Sequence, residues 1–420
     1  MQRYEQSVKI KKIAMVAVIL ILGIAALLPL AGGSESTENV WDKIALIRGN
    51  TTSLSGGEYL AIKTKNSWVG IIYGSEENPQ NVKIVAEMER YAGGVKIYDL
   101  NGNLKEKKIL KYKVFLGQSF KYIGEVANIN ESKSLEKYVP LKGSWHISDV
   151  LITNISSNKT RIDFTLYMEN IPYRYVNSNE TSGDGRVNRI ALHFHITVQL
   201  QERKIREFPW YSYNPEGGVA MDKRKNYTGQ VVTFQIKYDK EIDGWDYSNE
   251  SSKLVVMNDL FWGTSGRDKV MRFITNRYGG CRAMVGKHAY DNTTLPHHPI
   301  FFPHSGRIEF TEVGQWQRIG RFRWESNVTV DNETRKAYYQ IIGGEHMVGW
   351  FNHRAFSLTV LNGALIYPIG NSIFQDPSIE VSEFYINFKL PTLPTASISM
   401  LGLVTAFLVI GVIWIYRFKK

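Results

Sequence analysis

His193 and His195 stand two residues apart in "RIALHFHITVQL" (189–200). In an extended strand that spacing puts both imidazoles on one face, where they can share a metal ion. His297, His298 and His304 follow in "LPHHPIFFPHSG", with His288 upstream, so a zinc or copper site can be assembled from these rings. The competing reading is a polar sheet face plus a His-containing loop, because no tight ligand spacing is present. Oxygen ligands form a second group. "NSNETSGDGRVN" offers Asn177, Asn179 and Asp184, and "EIDGWDYSNES" offers Asp243, Asp246 and Asn249. A calcium loop needs several oxygens on one sharply turned segment, but neither stretch ends in the Glu of the twelve-residue pattern. Asx-rich turns also occur with no ion to bind. The third group is aromatic. "FPWYSYNP" sets Trp210, Tyr211 and Tyr213 in a Pro-bounded loop, where exposed rings would stack on a sugar or anchor a partner.

Signatures of catalysis are missing. "GTSG" (263–266) is not a G-x-S-x-G elbow, "GEHMVGW" is not H-E-x-x-H, and no Gly-rich phosphate loop occurs. Carboxylates are too scattered to nominate a catalytic pair.

The elements that must carry these residues read as strands. Leu192, Phe194, Ile196, Val198 and Leu200 share one face, and His193, His195, Thr197 and Gln199 the other. Val232, Phe234, Ile236 and Tyr238 alternate with Thr233, Gln235 and Lys237. Phe322, Trp324, Val328 and Val330 oppose Arg321, Arg323, Glu325, Asn327 and Thr329. Asn101-Gly102 lies between two alternating runs, which is a hairpin signal. Outside the chain ends the best helical candidate is "RDKVMRFITNRYGG", and its second half reads equally as a strand. The expected fold is all-β, a β-sandwich-type ectodomain between two hydrophobic terminal helices. At this length two packed modules are expected, 40–200 and 230–390, joined by a linker or long loop over 201–229. A weaker boundary falls at 170–188.

Asn-x-Ser/Thr, the acceptor pattern for N-linked glycan, occurs ten times: Asn50, Asn130, Asn154, Asn158, Asn179, Asn226, Asn249, Asn292, Asn327 and Asn332. With 27 Asn in the chain, chance gives roughly three or four such sites. The excess points to a chain that meets a glycosylation system. The ends agree. Residues 1–12 are basic, and Ile13–Leu30 is an uncharged apolar run of about 27 Å as a helix. Segment 13–33 is a signal anchor or a cleaved signal peptide, since "AGGSES" follows. Ala396–Tyr416 is a second apolar run with Trp414 and Tyr416 at its end, and 417–420 is basic again. The positive-inside rule places both basic tails in the cytoplasm and everything between them outside. Neither run contains a charged or strongly polar residue, which argues against transport through them. Gly402 and Gly411 are nine apart, so the four-residue close-packing motif is absent as well.

The net charge of +11 comes largely from the ends, with +3 in residues 1–12 and +3 in 417–420. It therefore argues weakly for nucleic acid, and the external location argues against it. One cysteine, Cys281, excludes an intrachain disulfide and reads as a small buried hydrophobe.

"SWVGIIYG" (67–74), "RYAGGVKIYDLNGN" (90–103), "KEIDGWDY" (240–247) and "QWQRIGRFRWESNVTV" (315–330), together with the terminal apolar anchor, resemble uncharacterised archaeal membrane-anchored surface proteins. The resemblance implies an archaeal envelope location and carries no activity with it. Taken together, the residues predict a membrane-anchored, N-glycosylated extracytoplasmic β protein. Its role would be binding or structural, with an envelope protein, a glycan or a membrane protein as partner. The rival is a metal-binding protein or hydrolase using the His segments, with calcium or a transition metal as cofactor.

Overall fold

A computed structural model describes residues 45–385, apart from 51–56, 65–66, 128–134, 177–184, 215, 268–280, 286–287, 291–299, 313–317, 352–353, 371 and 376. The described residues are all-β: 79% lie in strands and none in a helix, as the period-two alternation predicts. Both apolar terminal runs lie outside the described residues, and no helix among those described is long and apolar enough to cross a membrane.

The strands are, in chain order, β1 (Ala45–Asn50), β2 (Glu58–Lys63), β3 (Ser67–Tyr73), β4 (Gln80–Asn81), β5 (Lys83–Tyr98), β6 (Leu104–Val126), β7 (Leu135–Pro140), β8 (Lys142–Gly143) and β9 (His146–Ile147). Next come β10 (Leu151–Ser156), β11 (Lys159–Pro172), β12 (Arg174–Tyr175), β13 (Arg186–Asn214), β14 (Gly218–Asp243), β15 (Lys253–Arg267), β16 (Cys281–Val285), β17 (His288–Tyr290) and β18 (Ile300–Phe302). The last are β19 (Gly306–Glu312), β20 (Arg318–Trp324), β21 (Asn327–Val330), β22 (Glu333–Lys336), β23 (Tyr338–Phe351), β24 (Arg354–Tyr367), β25 (Ser372–Gln375) and β26 (Ser378–Tyr385).

Two long antiparallel ladders organise them. One runs β10–β11–β13–β14–β26–β20–β19–β16. The other runs β1–β2–β3–β5–β6–β15–β24–β23–β18. A short parallel pairing of β5 with β13, Gly94–Ile97 against Trp210–Tyr213, joins them. The apolar alternates of both ladders meet in one core. Phe164, Phe194, Ile196, Phe234 and Ile236 come from the first; Leu60, Val69, Val114, Leu116, Leu260 and Trp262 come from the second. Rings cross the gap: Phe120–Tyr238 at 5.3 Å, Trp262–Phe310 at 4.9 Å and Trp324–Tyr339 at 4.7 Å. Each such side chain taken out of water contributes about 1.5–3 kcal/mol.

The linker expected at 201–229 is absent. Pairing continues from Gln201↔Val231 to Asn214↔Gly218, with register shifts at Ile205/Phe208 and Trp210/Tyr211, so this stretch is the far half of the β13–β14 hairpin. Its Pro, Gly and charges read as loop signals, but backbone pairing between the two strands overrides them. The core also draws on residues before and after this boundary, so it does not divide the chain at 201–229. Turn chemistry is local elsewhere. Asp331 and Asn332 have φ of 50° and 66°, the two successive positive values that a two-residue type I′ hairpin requires, and they join β21 to β22.

Candidate functional site

His193 and His195 lie on the half-exposed outer face of β13, opposite the core face that holds Phe194 and Ile196. The parity that placed them together is confirmed, and the neighbouring strands supply carboxylates. His193 Nδ1 meets Thr165 Oγ1 at 2.9 Å, and its Nε2 meets Glu241 Oε2 at 2.9 Å. His195 Nδ1 lies 2.5 Å from Asp163 Oδ1 and 2.9 Å from the Arg161 guanidinium, and its Nε2 is 3.4 Å from Asp239. Burial alone would raise the Asp163 carboxyl. Hydrogen bonds from His195 and Arg161 outweigh it and hold the carboxyl below its ordinary range. All four ring nitrogens are thus engaged by β11 or β14. Among the described residues no three His, Cys, Asp or Glu side chains are grouped to hold a metal ion. His304 is exposed, and its carbonyl accepts the Trp324 indole N–H at 2.9 Å. His297, His298 and Asp184 lie outside the described residues.

The segment 243–249 is organised by a different cation. Glu125 of β6 is fully buried and Lys137 of β7 nearly so, with Nζ to Oε2 at 3.4 Å. The Glu125 carboxylate accepts the Ser248 backbone N–H at 2.7 Å and the Trp245 indole N–H at 3.3 Å. Lys137 Nζ donates to the Asp246 carbonyl and sits 4.6 Å over the Tyr173 ring. The Asp246 N–H in turn donates to Tyr173 Oη at 2.8 Å. An ammonium therefore occupies the inner side of the loop in which Asp243, Asp246 and Asn249 were candidate calcium ligands. Asp246 uses its main chain there, and its side chain is exposed.

The aromatic trio is not a loop. Trp210, Tyr211 and Tyr213 sit in β13 beside β5. Trp210 and Tyr211 are buried, and only Tyr213 is exposed, at 37%. Strand alternation alone would expose one of them; Tyr211 joins the core, and Trp210 is covered by packing on Gly94 of β5 and by Lys107.

The sequon asparagines whose side chains are described, Asn154, Asn158, Asn249, Asn327 and Asn332, are all exposed. Asn249 Oδ1 accepts both the N–H (2.9 Å) and the hydroxyl (3.0 Å) of Ser251, an Asx turn within the sequon itself. Asn249, Asn327 and Asn332 gather at the end of the molecule where β14 terminates, since β21 pairs β25 and β25 pairs the last residues of β14. Asn50 and Asn226 lie in β1 and β14, while Asn130, Asn179 and Asn292 are outside the described residues.

Several buried polar groups escaped the sequence reading. Lys240 Nζ is buried over the Tyr238 and Tyr367 rings, at 5.8 and 5.5 Å, and burial pushes its pKa far below the ordinary lysine value. Lys83 is likewise buried, with Lys142 nearby, and its pKa falls to about 8. Parity held the signal, because Lys240 falls on the apolar face with Phe234, Ile236 and Tyr238. Comparison with models of protein families and with curated proteins finds no match to this chain.

Proposed function

We propose that this chain is a membrane-anchored, N-glycosylated extracytoplasmic protein of an archaeal envelope. Its sandwich-type ectodomain would serve binding or structure, with an envelope protein, a glycan or a membrane protein as partner. The observation that carries the reading is the sequon set: about threefold more than chance, with every described sequon side chain exposed and therefore open to a glycosyltransferase. The hydrogen bonds that hold His193 to Thr165 and Glu241, and His195 to Asp163, support a binding or structural role over a catalytic one.

The test is purification from native membranes, alkaline carbonate extraction and glycopeptide mass spectrometry. The reading expects a carbonate-resistant chain with glycan on Asn327 and Asn332. A carbonate-soluble, unglycosylated chain would overturn it. A second reading, an extracytoplasmic hydrolase or metal protein, has one observation in its favour. Thr165, His193 and Glu241 form a hydroxyl–imidazole–carboxylate sequence of hydrogen bonds. Ester hydrolysis that disappears in both Thr165→Ala and His193→Gln would favour it.

A further inference from the structure

We infer that the paired tips of the β5–β6 and β13–β14 hairpins form a foot that rests on an anionic lipid surface. The inference builds on the membrane-anchored reading above. Because β5 and β13 pair in parallel, both hairpins project the same way, one turning at 99–103 and the other at 214–218. The β5–β6 tip presents Leu100 at 71% and Leu104 at 54% exposure, and Tyr213 at 37% lies on the neighbouring strand. The turn is fixed by its own hydrogen bonds. Asp99 Oδ1 accepts the backbone N–H groups of Asn101 (2.9 Å) and Asn103 (2.8 Å), and Gly102 supplies the positive φ of 76°. The two arms are locked together: Trp210 packs so close to Gly94 that a Cβ there would lie 2.4 Å from the indole, and Lys107 Nζ covers the same ring at 4.8 Å.

The arms behind this end are basic. Residues 95–111 carry five Lys against Asp99 and Glu106, and residues 203–225 carry six Arg or Lys against three acids, so the arms hold +6. Outside the basic terminal clusters the whole chain holds only +5, so everything else between them nets −1. Other exposed apolar residues, such as Leu151, Ile152 and Ile155 on β10, lie on a strand without a charged residue. The β5–β6 tip, where exposed Leu100 and Leu104 stand beside exposed Lys105 and Lys108, suits an interface where side chains dip among acyl chains and ammonium groups meet phosphates. No sequon falls within 95–111, and the one on the other hairpin, Asn226, stands back along β14 from the turn at Gly218.

Chain direction and reach point the same way. β26 runs antiparallel to β14, with Tyr385 opposite Gln230, so its C-terminal end heads for the tips. From Gln230 to the turn at Gly218 is about 40 Å at ~3.3 Å per residue. The chain from Tyr385 to Ala396, where the apolar run starts, can span roughly 36–40 Å. At the other end, Ala45 pairs Lys63, Lys63 pairs Trp68 and Trp68 pairs Glu87, so the chain before β1 also leaves toward the tips. Glu87 to the Asp99 turn is again about 40 Å, and Leu30 to Ala45 can span roughly 50 Å. Both apolar runs can therefore enter a bilayer in the plane that the tips touch, and Asn249, Asn327 and Asn332 then sit at the far end.

The experiment uses the full chain with Cys281→Ala, reconstituted in vesicles containing lipid-borne spin-label quencher. A single cysteine carrying a fluorophore is placed by Leu100→Cys at the tip, Glu333→Cys at the far end or Val404→Cys in the C-terminal apolar run. The expected result is quenching at 100 and 404 but not at 333, with quenching at 100 stronger in phosphatidylglycerol than in phosphatidylcholine vesicles. Lys105→Gln and Lys108→Gln should each weaken the contact about fivefold. Quenching at 404 without quenching at 100 overturns the foot and leaves the anchor standing. Quenching at 100 that is equal in both lipids overturns the recognition of anionic headgroups. Absence of quenching at 404 overturns the anchor itself, and the foot with it.

Discussion

Glu125→Gln should be among the most damaging isosteric changes in the molecule. Glu125 is 0% and Lys137 2% exposed, so the pair is fully removed from solvent. The amide keeps the carboxylate's shape and one acceptor for the Ser248 N–H, now 2.7 Å away. It removes the carboxylate charge that stands 3.4 Å from the buried Lys137 ammonium, its one ion-pair partner within 4 Å among the described residues. An uncompensated buried charge of this kind costs about 3–5 kcal/mol. The Tyr173 ring under Lys137 and the Asp246 carbonyl offset a part of it, so about 3 kcal/mol is expected. Lys137→Met in the same background removes the stranded charge and should return most of the loss, since apolar replacement of a buried pair is often neutral. The assay is urea unfolding of the wild type, the two single variants and the double variant, followed by tryptophan fluorescence. Trp245, whose indole donates to Glu125, reports on the site directly. A cost under about 1 kcal/mol for Glu125→Gln, or no recovery in the double variant, would refute the account of this loop as one built on an internal ion pair.

Other outcomes follow from individual contacts. Lys83 has its pKa lowered from 10.5 to about 8 by burial, with Lys142 adding repulsion. Its folded state binds fewer protons than the unfolded chain between those values, so stability should rise from pH 8 to 10.5 by about 3 kcal/mol. Lys83→Met should flatten that rise and stabilise the protein below pH 8, and a destabilised Lys83→Met would show that the amine has a compensating partner. Asp163, held below its ordinary range, contributes stability above pH ~4 that is lost as pH falls through its folded pKa. The wild type and Asp163→Asn should thus differ by up to about 1 kcal/mol at pH 6 and converge near pH 2 in acid titrations. Phe194→Ala, which empties a site stacked on Phe164 at 5.0 Å, should cost about 3–5 kcal/mol in the same urea assay. Asn332→Gly removes a sequon yet keeps the positive φ, and should leave the melting temperature of unglycosylated protein unchanged, whereas Asn332→Val should lower it.

Alternation along each strand was enough to assign the class and the faces. Phe194 and Ile196 go inward while His193 and His195 go outward because successive side chains in an extended chain point to opposite sides, a property of two or three neighbouring residues. The same parity, read further, holds the buried cations too: Arg90 continues the face of Ile84, Ala86 and Met88, and Lys240 that of Tyr238. The turn at Asn101-Gly102 was equally legible, since its conformation depends on those two residues. What alternation cannot hold is which strand lies next to which. Ser212 is separated from its partner Lys96 by more than a hundred residues, and that pairing buries Trp210 and Tyr211 where a Pro-bounded loop was expected. Glu125 and Lys137 acquire a role only when the turn at 244–248 closes over them, through hydrogen bonds that span more than a hundred residues. Faces are set by local stereochemistry. Neighbours are set by long-range pairing, which depends on how the loops close and how the whole core packs, and so the tertiary structure alone decided the ion-paired loop and the side-by-side pairing of the two projecting hairpins.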